Sequence, residues 1–162
     1  MSDETPRIRN RLAEVTFDEK TIPRGDTQRD HERAAAAFDL IDDNHFAVPG
    51  RDDGPYNLHI AGSELRLSFD VRTASGAPVV EFSVSMTPFR PLIKDYFQIC
   101  ESYFSAIRRA GAREISEVDR ARTALHNEGA ALLVQRMADK AAIDDPTARR
   151  MFTLIAALLW RP

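Results

Sequence analysis

The sequence contains a single cysteine, no long hydrophobic run and no strong excess of charge of either sign. Because Cys100 has no second thiol to join, an internal disulfide and a thiolate metal cluster are excluded, as is typical of a reducing compartment. The N-terminal segment lacks the apolar core of a secretory signal, and no segment is apolar over the length that spans a bilayer. We therefore expect a cytoplasmic protein with no membrane partner.

The balance of charges argues against general binding of polyanions. The chain has 25 acidic and 22 basic residues, which give a formal net charge of -3. So small a net charge creates no field that would draw the chain to nucleic acid or to an anionic surface. We therefore expect no nucleic-acid partner, and binding of a phosphate would need a local cluster of basic side chains.

The common sequence signatures of catalysis are also missing. The chain has no glycine-rich phosphate loop, no nucleophile elbow, no paired metal-binding histidines and no RNA-binding aromatic motif. We predict no cofactor and no metal site. Whether the protein is an enzyme stays open at this point, because many active sites have no local signature.

Length and composition fit one globular domain. Of the 162 residues, 43% are hydrophobic and 29% are charged, and a chain of this size forms one core. We expect a flexible tail at residues 1–12, a helix and an antiparallel sheet at 13–86, and a helical part of the same core at 87–162.

Apolar residues recur at every second position between residues 56 and 86, which predicts three half-buried strands. The short breaks AGS and TASGAP suit hairpin turns, so an antiparallel meander is the simplest topology. Weaker signals predict a strand at 13–18 and a short strand at 45–48.

The alternation also predicts a register. The expected cross-strand pairs are Ile60–Leu65, His59–Arg66, Val71–Val80, Phe69–Phe82, Leu67–Val84 and Ser68–Ser83. The same register places Asp70 opposite Glu81 on the solvated face, where two carboxylates repel each other. Either Arg66 and Arg72 neutralise them diagonally, or the pair forms a cation or acid/base site.

Helical spacing of apolar residues predicts helices at 27–44, 90–110 and about 114–140, and a further helix that starts at 145. In the first helix the expected buried set is Ala34, Ala37, Phe38 and Ile41. In the second it is Leu92, Ile93, Tyr96, Phe97, Cys100, Tyr103, Phe104 and Ile107. The last helix is apolar almost all round, so it is buried in the domain or covered by another subunit. We therefore expect a homodimer through residues 147–160.

These elements predict an α+β fold, in which an antiparallel sheet of three or four strands is packed on one face by about four helices. The segment LHNEGAALL, residues 125–133, places polar groups within the second C-terminal helix. Leu125, Gly129 and Leu132 are expected to point inward, with His126 at the edge of that face. A glycine inside a helix suggests that another backbone or a ligand approaches closely.

Two functions fit the residues. The first is a small interaction or regulatory protein without catalytic activity, which binds an unknown protein partner. It is suggested by the missing motifs and by the polar face of the sheet, which carries Asn57, His59, Arg66, Asp70, Arg72 and Glu81.

The alternative is an enzyme or ligand-binding protein acting on a small anionic or phosphorylated metabolite. His126 or His31 would be the general base, and Glu128 would orient it. Arg90 and Lys94 would form the charge clamp for the anion. Further ligand-binding candidates are Arg33 and Asn127, and Arg149 and Arg150 could join Arg90 and Lys94 in a local anion site.

Four segments carry a family resemblance: HERAAAAFDL at 31–40, PFRPLIKDYFQICESYFSAI at 88–107, LHNEG at 125–129 and DPTARRMFTLI at 145–155. In this order they resemble uncharacterised protein family 0262, a family of small alphaproteobacterial proteins. Pro91 is atypical, because a basic residue is expected there. The resemblance implies a bacterial cytoplasmic protein, and it implies no activity or catalytic residue.

Overall fold

The computed structural model describes residues 9–22, 24–62, 65–109 and 111–159. Most of the predicted tail, residues 1–8, lies outside the described residues, as do Ser63 of the AGS turn, Ala110 and Trp160.

The described residues form four helices, a four-stranded sheet and a two-stranded sheet. In chain order the elements are β1 (Leu12–Phe17), α1 (Thr27–Asp42), β2 (Phe46–Ala47), β3 (Tyr56–Gly62), β4 (Arg66–Thr73), β5 (Pro78–Ser85), α2 (Arg90–Arg109), α3 (Ala112–Met137), β6 (Ala142–Ile143) and α4 (Asp145–Leu159). None of these helices combines the length and the hydropathy that crossing a bilayer requires. The predicted combination of helices with a four-stranded sheet is confirmed.

The main sheet has the order β1-β3-β4-β5, and it is mixed rather than purely antiparallel. β3, β4 and β5 form the predicted meander, but β1 pairs with β3 in parallel. The reason is the connection between them: α1 lies between β1 and β3, and a crossover through a helix brings a strand back in the same direction. β2 and β6 form a separate antiparallel pair.

The predicted register is right for one strand pair and wrong for the other. β4 and β5 pair as expected, with Phe69 opposite Phe82 and Asp70 opposite Glu81. In β3, Ile60 pairs with Phe69 rather than Leu65, and His59 pairs with Asp70 rather than Arg66. A shift by an even number of residues keeps every side chain on its face, so the alternation could not detect this error.

The helix α1 begins after Asp26, whose Oδ1 accepts a hydrogen bond from the backbone N–H of Arg29 at 2.8 Å. Its buried residues are Arg33, Ala36, Ala37 and Leu40. The predicted buried set is therefore wrong in part, since the side chain of Phe38 is 69% exposed. Four successive alanines do not distinguish one helix face from the next, and the face that packs is rotated by one residue.

The last helix, α4, is buried by its own chain. Residues Met151, Phe152, Leu154, Ile155, Ala156 and Leu158 are all buried, and the helix packs against both α1 and α3. Of the two alternatives for this helix, burial in the domain is therefore the one observed, and the homodimer through residues 147–160 stays a prediction. The sheet contributes its inner face to the same core, through residues such as Leu58, Phe69 and Val84.

Helices α2 and α3 pack against each other as an antiparallel hairpin that is only partly covered by the core. Among the described residues of α2 only Ile93 is buried, and in α3 the buried residues start at Gly129. The half of the hairpin that is nearest the connection between the two helices is therefore more exposed than its base.

Candidate functional site

His126 lies where three helices meet. Its ring centroid is 5.5 Å from that of Tyr96 on α2 and 5.8 Å from that of Phe152 on α4. Tyr96 and Phe152 also contact each other edge to face, with centroids 5.7 Å apart. The three rings form a cluster that joins α2, α3 and α4.

The imidazole of His126 is hydrogen-bonded to the backbone of α4. Its Nε2 lies 2.8 Å from the carbonyl oxygen of Arg149 and 2.9 Å from Oγ1 of Thr153, and the Thr153 hydroxyl donates to the same carbonyl at 3.1 Å. A carbonyl oxygen only accepts, so this network assigns the proton to Nε2. Among the described residues Nδ1 has no hydrogen-bond partner, and it is the acceptor of the neutral ring.

The neutral form of His126 is favoured by its surroundings. Burial lowers the pKa of His126, and the positive charges of Arg149 and Arg122 lower it further, although the hydrogen bond to the Arg149 carbonyl acts in the opposite direction. Because the pKa is lowered, the neutral ring with its proton on Nε2 is the favoured form at the ordinary pH of a cell.

Cys100 lies beside Tyr96 of this cluster and is half-buried. Burial raises the pKa of the Cys100 thiol and also raises the pKa of the Tyr96 hydroxyl. A thiol whose pKa is raised is a poor nucleophile. The interpretation of Cys100 as a packing residue therefore agrees with its environment.

A shallow hollow of about 310 Å³ opens next to the imidazole at the start of α4. Its lining residues are His126, Asp145, Pro146, Arg149, Arg150 and Thr153. Arg150 is engaged elsewhere, since its NH1 donates to the carbonyl oxygen of Asp43 at 2.8 Å. Arg149 is exposed and has no ion pair among the described residues. The hollow could hold a small anion against one free guanidinium group.

The structure does not bring the two predicted histidines together. His31 is exposed on α1. Two residues further on, Arg33 is buried and donates to the carbonyl oxygens of Ala157 and Leu158, both at 3.3 Å. His126 contacts α4 at Arg149, eight residues before Ala157, which is about 12 Å along a helix. His31 and His126 are therefore near different ends of α4.

The contacts of Arg33 with Ala157 and Leu158 make it a capping residue for the end of α4. The described contacts do not make it a ligand-binding side chain.

The remaining candidates are solvent-exposed side chains. Arg90, Lys94, Asn127 and Glu128 are all exposed, and none of them is among the described contacts of His126. Glu128 follows His126 by two residues on the helix, so the two side chains point in different directions. In the part of the chain that the structure describes, no three metal-ligating side chains lie close enough to share an ion.

Sequence reasoning identified His126 but not the groups that contact it. Tyr96 and Thr153 come from the helices before and after α3 in the chain, 30 and 27 residues away from His126. Periodicity within one helix carries no information on such contacts, so no sequence signal identifies them.

The polar face of the sheet is largely satisfied by its own side chains. Nε of Arg72 donates to Asp70 at 3.1 Å, which confirms one of the two predicted neutralising arginines. Arg66 instead donates to Oγ of Ser83, from Nε at 3.2 Å and from NH2 at 2.9 Å. Asp70 needs no bound cation to offset the carboxylate opposite it.

An apolar surface is exposed on the outer half of α2. Phe104 is 61% exposed and Ile107 is 51% exposed, although both were predicted to face the core. The apolar face of α2 runs along the whole helix, but the core ends near its middle. A hollow of about 650 Å³ along this surface is lined by Glu101, Phe104, Ile107 and Arg108, and we call these four residues the α2 stripe.

Comparison with known proteins finds full-length relatives. The model of the uncharacterised protein family UPF0262 matches residues 9–161. A UPF0262 protein of Methylobacterium radiotolerans is 49% identical over 158 residues, which cover 98% of each chain. A second, of Nitrobacter winogradskyi, is 47% identical over 164 residues, which cover 99% of this chain and 98% of the relative. A third, of Xanthobacter autotrophicus, is 49% identical over 152 residues, 93% of both chains. No solved structure matches the chain.

Proposed function

The chain belongs to the uncharacterised protein family UPF0262, and we propose that it is a small interaction or regulatory protein without catalytic activity. The observation that supports this proposal is the α2 stripe. Phe104 and Ile107 lie side by side on one helix face and are both more than half exposed. Isolated apolar side chains are common on protein surfaces, but adjoining large ones are typical of binding sites for other proteins.

The surroundings of His126 support a role in packing rather than in catalysis. Its Nε2–H donates to a backbone carbonyl of α4, and its ring packs against the rings of Tyr96 and Phe152. The side chains that would orient it or bind a substrate phosphate, Glu128 and Lys94, are exposed and do not contact it. The cluster packs α2, α3 and α4 against one another, and this packing role accounts for its residues without a catalytic one.

The proposal includes a cytoplasmic location. It is supported by the single cysteine, since Cys100 is half-buried and kept as a thiol. Fractionation of a host that carries the tagged full chain would test this part. Recovery in the membrane or periplasmic fraction would contradict it.

A matched pair of exposed phenylalanines allows a direct test of the α2 stripe. The full chain is purified from its own host as wild type, as Phe104→Glu and as Phe38→Glu, and each preparation is examined by native mass spectrometry. Phe38 is also exposed, but it lies on α1. We expect a complex, either with a second copy or with another protein, that is lost in Phe104→Glu and kept in Phe38→Glu. A bare monomer in all three preparations, or an equal loss in both variants, would contradict the proposal.

A second candidate function, binding of a small anion, is favoured by the hollow beside His126. Arg149 lies there beside His126, without an ion pair among the described residues. Inorganic phosphate is then expected to raise the melting temperature in a saturable way. Arg149→Gln should abolish this shift and Arg136→Gln, which removes an exposed charge on α3, should not. A shift that is linear in salt, or that survives in Arg149→Gln, would count against the anion site.

A further inference from the structure

The α2 stripe has a charge at each end and an apolar centre. Glu101, Phe104 and Arg108 are spaced by three and four residues, so their side chains share one face of the helix. Ile107 flanks Phe104 on the same side. In the part of the chain that the structure describes, neither Glu101 nor Arg108 forms an ion pair. The stripe is therefore an apolar patch between two unpaired charges of opposite sign, about 10 Å apart along the helix.

This arrangement is complementary to itself under a two-fold rotation. In a symmetric pair of antiparallel helices, the residue at one end of the contact meets the residue at the other end, and the reverse contact forms by symmetry. If Glu101 of one copy faces Arg108 of the next, the axis passes between Phe104 and Ser105. The two Phe104 rings then meet at the centre of the contact, with an ion pair on each side.

Only one direction of the second helix fits the charges. In a parallel pair Glu101 would face Glu101 of the other copy and Arg108 would face Arg108, and like charges at such positions are unfavourable. In the antiparallel pair both contacts join opposite charges.

We propose that the α2 stripe binds the α2 stripe of a second copy of this chain, in an antiparallel and two-fold symmetric contact. This inference rests on the proposed function and specifies its partner. It is an alternative to the homodimer predicted through residues 147–160, since it uses α2 while α4 is buried by its own chain.

The dimer is expected to be weak and reversible. A contact between two single helices buries less than the roughly 1,600 Å² that is usual for stable complexes. Dissociation constants in the micromolar range are typical of such small contacts, and a concentration series is needed to observe the dimer.

Charge exchange tests the contact and its direction. Sedimentation velocity is measured from about 1 µM to about 1 mM for the wild type, for Glu101→Arg, for Arg108→Glu and for the double variant that carries both changes. Each single variant places like charges in both symmetric contacts, so its dissociation constant should rise at least about tenfold. The double variant restores opposite charges and should dimerise as the wild type does.

A mixture of the two single variants is the sharpest measurement. Each single variant alone should dimerise more weakly than the wild type, but an equimolar mixture brings two acidic residues against two basic ones and should form a heterodimer that is tighter than either homodimer. Both substituted residues, Glu101 and Arg108, are exposed, and a melting curve of each variant checks that it is folded.

The outcomes separate this inference from the proposed function. Wild type that stays monomeric at all concentrations would overturn the dimer, and so would single variants that dimerise normally or a mixture that does not associate. If the chain is monomeric but Phe104→Glu releases another bound protein, the dimer is wrong and the proposed interaction function stands. If Phe104→Glu changes nothing in either experiment, both are wrong.

Discussion

The α carbon of Gly129 on α3 lies directly against the ring of Phe152 on α4, and a β carbon at position 129 would overlap with the ring atoms. The close approach that a glycine inside this helix suggested is thus real, but it comes from an aromatic side chain rather than from a backbone or a ligand. The contact lies three residues after His126, at the same junction of helices.

Gly129→Ala is predicted to destabilise the protein although alanine is the better helix former. The gain in helix propensity is up to about 1 kcal/mol. Displacing a buried ring in a packed core costs about 1–3 kcal/mol, so the net free energy of unfolding should fall, by up to about 2 kcal/mol when the full gain in propensity is realised. Chemical denaturation of the wild type and the variant measures this difference.

The double variant Gly129→Ala with Phe152→Leu identifies the cause. A smaller side chain at 152 makes room for the added methyl group, so the two changes together should destabilise less than the sum of the single changes. Additive effects would show that the ring of Phe152 does not cause the loss of stability in Gly129→Ala.

The sequence predicts the fold correctly where the residues of an element and its adjacent turn determine the local structure. Alternation over β4 and β5 identified the strands and their register, because a short turn allows few alternatives. In β3 the strand continues to Gly62, which has a φ of 133° and lies against the backbone of Arg66. Nothing in the alternation marks that extension.

The contacts of the candidate site are even harder to predict from the sequence, because they join different helices. The edge position of His126 follows from the spacing in α3. Its contacts with Tyr96, Phe152 and Thr153 depend on how α2 and α4 pack, and no pattern within one helix encodes that packing. The role of Arg33 was missed for the same reason, since its partners Ala157 and Leu158 are far away in the chain.

The stability of the protein is predicted to fall below the ordinary histidine pKa because of His126. Burial lowers the pKa of His126 from its ordinary value of 6.5, so the unfolded chain binds this proton more tightly than the folded chain does. The contribution of His126 is therefore complete above about pH 6.5 and is lost as the pH falls from there towards the lowered pKa.

Comparison with His126→Gln isolates this effect. The variant should lose about 1–2 kcal/mol at neutral pH through its weaker packing and hydrogen bonds, and the difference from the wild type should shrink as the pH falls to about 5.5. His31→Gln, at an exposed histidine on α1, is the matched control substitution. A constant difference between wild type and His126→Gln across this range would show that His126 does not titrate in this way.

Arg33→Met is predicted to reduce the free energy of unfolding by about 2–4 kcal/mol. Arg33 is 7% exposed, and its guanidinium group donates to the carbonyl oxygens of Ala157 and Leu158 in the last turn of α4. Methionine keeps much of the volume but leaves these carbonyl groups without their donor and removes a positive charge from the negative end of the helix. Arg29→Met, one turn earlier on α1, should change stability by less than about 0.5 kcal/mol. Equal effects of the two changes would mean that the capping contacts contribute nothing.

Asn44 connects the end of α1 to β1, and Asn44→Asp is predicted to cost about 2–4 kcal/mol. The Oδ1 atom accepts from the backbone N–H of Leu12 at 2.7 Å, while Nδ2 donates to the carbonyl oxygens of Leu12 at 3.0 Å and Leu40 at 2.9 Å. Aspartate can keep the first bond but places a negative oxygen against two carbonyl oxygens.

The matched change Asn127→Asp affects an exposed amide on α3 and should be close to neutral. Acid should restore part of the loss in Asn44→Asp, because a protonated carboxyl group can donate one hydrogen bond to Leu12 or Leu40. Denaturation at neutral pH and at about pH 4, near the ordinary aspartate pKa, measures both effects. Similar stability of the two variants at neutral pH would show that the amide of Asn44 is replaceable, and that the link between α1 and β1 depends on packing alone.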